Sequence, residues 1–148
     1  PLLLVALVVA ASLVLWIRHH RAEAVLLTSA VAGAYAIGGL AKLAEHRARP
    51  SVPLSVVQEP GASFPSGHVL ILATIALVTG ATAWGHLRRR GKCLAVTVAA
   101  VATVAMSLDR LAVGAHWLTD VTASLALAVV IGSLVIGAIR VRRIASVK

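Results

Sequence analysis

The chain has 148 residues, 59% of them hydrophobic and only 13% charged, with a formal net charge of +9. That balance leaves too little polar surface to cover a water-soluble globule, so the chain belongs in a bilayer. A lone cysteine, Cys93, excludes an internal disulfide, and no Cys/His cluster has the spacing of a structural zinc site.

Five apolar stretches are expected to be helices, at roughly Leu2–Ile17, Ala24–Ala41, Val69–Leu87, Cys93–Leu108 and Trp117–Ile139. A spanning helix needs about 17 to 25 residues, so the first and fourth sit at the short limit. They would depend on flanking arginines reaching out to the headgroups. The first stretch begins on Pro1, with no initiator Met, no preceding basic residue and no small-residue cleavage site after it. It is therefore read as a membrane helix and not a signal peptide, with the natural N-terminus and a further helix expected upstream. No repeat, low-complexity linker or shift in composition divides residues 1–148, which are expected to form a single domain: an all-α, polytopic transmembrane helical bundle with five crossings in this chain.

The distribution of the positive charge argues against nucleic acid as a partner. Ten of the fourteen Lys and Arg residues fall in three clusters: Arg18 and Arg21; Arg88, Arg89, Arg90 and Lys92; Arg140, Arg142, Arg143 and Lys148. If each stretch crosses once, all three clusters lie on one side, which the positive-inside bias makes cytoplasmic. There they would also meet anionic lipid headgroups. The remaining four, Lys42, Arg47, Arg49 and Arg110, lie on the opposite side.

Between Arg49 and His68 the chain is polar and turn-rich, with Pro50, Pro53, Pro60, Gly61 and Pro65. It is expected at the membrane surface as a lid or access loop. Trp16, Trp84 and Trp117 fall near expected helix ends, where indole rings anchor at the interface.

Three short blocks collect most of the remaining ionisable residues: Lys42 with Arg49-Pro50, then Pro65-Ser66-Gly67-His68, then Arg110, His116 and Asp120. On the expected topology all three meet on the outer face. Ser66 precedes an apolar helix and can cap it, while Gly67 lets an anion approach the freed backbone N–H groups at the positive end of the helix dipole. Arg49 and Arg110 offer planar forks that match phosphate oxygens, and Lys42 adds a mobile charge. These three cations would neutralise a phosphoryl transition state with no metal or other cofactor. His116 and Asp120, four residues apart at a helix start, share a face. Asp120 is expected to accept one imidazole proton, leaving the other nitrogen of His116 as the nucleophile. His68 is left to protonate the departing alkoxide and then to activate water.

These blocks resemble the signature of the type-2 phosphatidic acid phosphatase superfamily, membrane lipid phosphatases that share it with vanadium haloperoxidases. The resemblance covers Lys42 to Asp120 and, by helix layout, most of the rest. It implies a bundle of usually six crossings, so one helix would precede this chain, and metal-free hydrolysis of lipid phosphate or diphosphate monoesters. It also implies that Lys42, Arg49, Ser66, Gly67 and Arg110 bind phosphate, with His116, His68 and Asp120 catalytic. Family members usually carry Ser directly before the third-block Arg; this chain has Asp109, which cannot donate a hydroxyl and would orient Arg110 or face solvent.

The expected substrate is a polyprenyl phosphate or diphosphate, or a phospholipid precursor such as phosphatidylglycerophosphate or phosphatidic acid. Membrane lipids surround the chain, and no obligate protein partner is evident. The short loops and Ala/Val/Leu-rich composition point to a bacterial inner membrane, with the site facing the periplasm or exterior. Two other readings are a lipid-phosphate-binding protein of weak turnover, which the Asp109 departure keeps open, and a transporter. The ionisable groups sit at helix ends and not mid-helix, which argues against transport.

Overall fold

The computed structural model describes residues 2–51 and 60–145; the centre of the expected lid, 52–59, lies outside the described residues. Five helices run through them: α1 (Leu2–Ile17), α2 (Arg21–Glu45), α3 (Gly67–Ala83), α4 (Arg89–Ala112) and α5 (Leu118–Ala145). α2, α4 and the Leu118–Arg142 part of α5 are long and apolar enough to cross a membrane, while α1 and α3 are shorter apolar helices.

Only α1 has the expected bounds, and the differences at α4 and α3 change which helices are short. α4 runs 24 residues because the basic cluster forms its first turn, with Arg88 as N-cap. Its far end is a complete Schellman turn. Gly114 takes a positive φ of 66°, its N–H bonds Leu111 O at 3.1 Å, and Ala115 N–H bonds Arg110 O at 3.2 Å. α3 stops after 17 residues, roughly 25 Å of helix. The short helices are thus α1 and α3, and not α1 and α4.

α3 is the central helix: α2 and α5 flank it, α1 packs on α2, and α4 leans on α3. Leu70, Ile71 and Val78 of α3 are buried among Leu27 and Ala34 of α2 and Ala128 and Ile131 of α5. Small residues let the backbones close up. A Cβ at Gly132 would come within 3.1 Å of Leu77, and one at Gly38 within 3.3 Å of Leu70. Several hydroxyls along the helices return to carbonyls one turn back, as Thr74 does to Leu70 O at 2.8 Å and Thr82 to Val78 O at 3.1 Å, which satisfies them without water. Ser12 and Thr28 join α1 to α2 at 2.9 Å.

α4 buries none of its residues, and Leu43, Leu94, Val101 and Leu134 are each more than 60% exposed. Such a continuous apolar exterior is stable only against lipid. The described members of the basic clusters gather at one end. The rings of His20 and His86 lie 6.0 Å apart, Arg21 sits over Trp16 at 5.2 Å and Lys92 over Trp84 at 5.0 Å. Trp84, Lys92 and Arg140 also border one groove between α3, α4 and α5. The motif blocks occupy the other end.

Candidate active site

A cavity of about 240 Å³ opens between α1, α2 and α3 at the end of the bundle that holds the motif blocks, with Lys42, Arg49, Gly67, His68 and His116 in its wall. Residues from all three blocks therefore converge. The opposite wall is apolar and includes Leu4, Tyr35, Gly38 and Ile71.

Lys42 projects from the last turn of α2, and its Nζ donates to Ala62 O at 2.7 Å. Arg49 donates through Nε to Gly61 O at 3.2 Å and through Nη1 to Ala115 O at 2.7 Å, tying the first block to the third. Carbonyls thus hold both cations in place while their charge faces the cavity. Ser66 precedes α3 but does not cap it through its side chain. Its hydroxyl is fully buried and, among the described residues, lacks a hydrogen-bond partner. A Cβ at Gly67 would meet no protein atom within 4 Å, so its amide borders open space at the positive end of α3.

His116 follows the Schellman turn, its backbone N–H on Arg110 O at 3.3 Å. The residue is only 3% exposed. Nδ1 lies 2.7 Å from the carbonyl oxygen of Ser63, an atom that only accepts, so Nδ1 carries the proton. Nε2 faces Arg49 Nη1 at 3.4 Å, a group that only donates, so Nε2 carries the lone pair. Both neighbours select one tautomer. Burial, then Arg49, and more weakly Lys42, lower the pKa of His116 below its ordinary value, while the Ser63 carbonyl and, least, Asp120 oppose them.

Asp120 does not take the expected proton. Its Oδ2 stands 3.6 Å from His116 Nδ1, beyond a hydrogen bond. Both oxygens are otherwise engaged. Oδ2 accepts the Trp117 N–H at 2.9 Å, the back-bond of a capping box at the start of α5. Oδ1 accepts from Arg47 Nη1 at 2.7 Å. Arg47 also donates to Thr119 Oγ1 at 2.6 Å and lies 5.7 Å over the Trp117 ring.

Arg110 is the one motif cation outside the cavity-lining residues. Its Nε donates to Asp109 Oδ2 at 2.7 Å and its Nη2 to the same oxygen. Asp109 therefore orients Arg110, one of the two roles expected for it.

Sequence reasoning missed Ser63, Ser124 and Arg47. Ser63 acts through a backbone carbonyl, which no residue type announces. Ser124 donates to Ser66 O at 3.0 Å and Asp120 O at 2.7 Å, joining the starts of α3 and α5. Arg47 does leave a trace: of the four cations outside the three basic clusters, it is the one to which the motif blocks assign no role.

Fold and site define a helical membrane protein with a cationic, histidine-bearing pocket at one end of the bundle. The chain belongs to the PAP2 superfamily, whose sequence model matches residues 23–144. Among solved structures it is similar to a transmembrane PAP2-type phosphatidylglycerolphosphate phosphatase from Bacillus subtilis. The TM-score is 0.84 at 24% identity, over 93% of this chain and 69% of that one. No curated protein matches it by sequence.

Proposed function

We propose that this protein is a metal-independent lipid phosphate phosphatase working through a phosphohistidine on His116. The observation that carries this reading is the forced tautomer of His116, a neutral imidazole whose Nε2 lone pair faces the cationic cavity. Nε2 attacks phosphorus as the P–O bond to the lipid breaks. His68, on the same cavity, gives its proton to the departing alkoxide, then takes one from the water that cleaves the phosphohistidine. Lys42, Arg49 and the amides at the start of α3 stabilise the phosphoryl oxygens, Ser66 offers its unpartnered hydroxyl, and Arg110 contributes when phosphate competes with Asp109.

The cavity is smaller than the ~300–1,000 Å³ of a typical small-molecule pocket, which suits a headgroup whose tails stay in the bilayer against Leu4, Tyr35 and Ile71. The fold neighbour's name supports a phospholipid precursor such as phosphatidylglycerophosphate; phosphatidic acid and polyprenyl phosphates or diphosphates fit the same chemistry. The protein would sit in a bacterial inner membrane with the cavity facing outward.

Purified protein assayed for phosphate release from a panel of these lipids tests the reading. Release is expected, and His116→Ala is expected to lower it by roughly 10³-fold or more. A His116→Ala protein with near-normal turnover would overturn the phosphohistidine. Lipid phosphate that binds but is never released would favour the alternative of binding with little turnover, to which the Asp109–Arg110 pair lends some support.

A further inference from the structure

We propose that Arg47, at a position the first motif block leaves unspecified, is a positioning residue for His116: it engages Asp120 so that the Ser63 carbonyl, and not the carboxylate, holds the imidazole. This rests on the reading of His116 as nucleophile. Arg47 reaches His116 by two routes. Through its main chain, its carbonyl accepts the Ser63 N–H at 2.8 Å, and the Ser63 carbonyl in turn accepts from His116 Nδ1 at 2.7 Å. Through its side chain, Nη1 grips Asp120 Oδ1 at 2.7 Å and Thr119 Oγ1 at 2.6 Å. The guanidinium lies over Trp117, whose Nε1 donates to Ala48 O at 2.9 Å. One residue thereby fixes both the carbonyl under the imidazole and the helix start beside it.

The consequence is electrostatic. Asp120 is completely buried, and a buried carboxylate without a countercharge seeks the nearest donor. That donor is His116 Nδ1, 3.6 Å away. A carboxylate closing on Nδ1 would raise the pKa of His116, so that at a given pH a larger share of the ring would be imidazolium, which has no lone pair for phosphorus. The other groups around the ring oppose that protonation: Arg49 from the segment after α2 and Lys42 from α2. His68 of α3 borders the same cavity, while the α4 cation Arg110 turns to Asp109. Arg47 offsets the Asp120 charge and turns Oδ1 away from the ring.

The test reads His116 directly. In ¹⁵N-histidine-labelled full chain in detergent, with His116→Gln assigning the resonance, the titration of His116 is followed without any need for turnover. The acid limb of kcat/KM follows the same group during the reaction. Arg47→Ala is expected to move both upward by about one pH unit. Arg47→Lys, which keeps the charge, should leave both close to the wild-type values. In Arg47→Ala/Asp120→Asn, with no carboxylate left to close on the ring, the upward shift should vanish. If Arg47→Ala does not fold, Arg47→Gln replaces it with the same expected rise. Loss of kcat with an unmoved titration would overturn the proposal, as would a shift that persists in the double variant. A His116 that titrates as expected in a protein releasing no phosphate would sink the phosphatase reading and leave the Arg47 assignment standing.

Discussion

Asp109 is the residue whose chemistry departs most from the family pattern. It gives Arg110 a carboxylate in place of the hydroxyl that usually precedes this arginine, and the pair is partly open to solvent, with the Asp109 side chain 51% exposed. Exposed pairs are worth about 0.2–1 kcal/mol, so phosphate should displace Asp109 at modest cost. Asp109→Ser is accordingly expected to lower KM for a lipid phosphate by roughly two- to fivefold, with kcat changed less. An unchanged or raised KM in steady-state phosphate release would show that Arg110 does not depend on Asp109 in this way. Residue types alone named Lys42, Arg49, Gly67, His68 and His116 as neighbours, because few reactions use such groups at such spacing. They misassigned the partner of His116, since a carboxylate four residues along a helix is visible in sequence and a carbonyl 53 residues away is not.

At the scale of elements, the turn between α4 and α5 bears most directly on the site. Gly114 closes α4, and His116 follows two residues later with its N–H on the same Arg110 carbonyl that accepts from Ala115. A side chain at this positive φ costs about 1–2 kcal/mol. Gly114→Ala should therefore lower stability by about that amount and reduce kcat, because the imidazole loses its fixed approach. The thermal midpoint in detergent and the rate of phosphate release check both effects. Full stability with full activity would show that the turn tolerates the strain. The glycine was present in the sequence as a stop signal; it places the end of α4 later than hydropathy does, because Asp109 and Arg110 interrupt the apolar run without interrupting the helix.

At the scale of the whole molecule, polarity of charge along the bundle predicts sidedness. The clusters at Arg18–Arg21 and Arg88–Lys92 lie at the end opposite the cavity, as the His20–His86 contact requires. The positive-inside bias puts that end in the cytoplasm and the cavity outside. Single cysteines at Ser51 and at His86, in a Cys93→Ser background, can be probed in intact cells with a membrane-impermeant thiol reagent. Labelling at Ser51 with protection at His86 is expected. The reverse pattern would turn the protein over and move its substrate to the cytoplasmic leaflet.

Hydropathy, charge clustering and the three motif blocks determined that the chain is a helical membrane protein with five apolar helices. They also placed its ionisable chemistry at one end. These are properties of composition and order, and the bilayer enforces them on any fold. Tertiary structure decided the rest. Which helix is central follows from where Gly38 and Gly132 let backbones approach, and packing at that distance has no counterpart in one-dimensional spacing. The tautomer of His116, the diversion of Asp120 to Arg47 and Trp117, and the turning of Arg110 onto Asp109 all follow from competition among donors and acceptors. That competition depends on distances of a few tenths of an ångström between segments far apart in sequence.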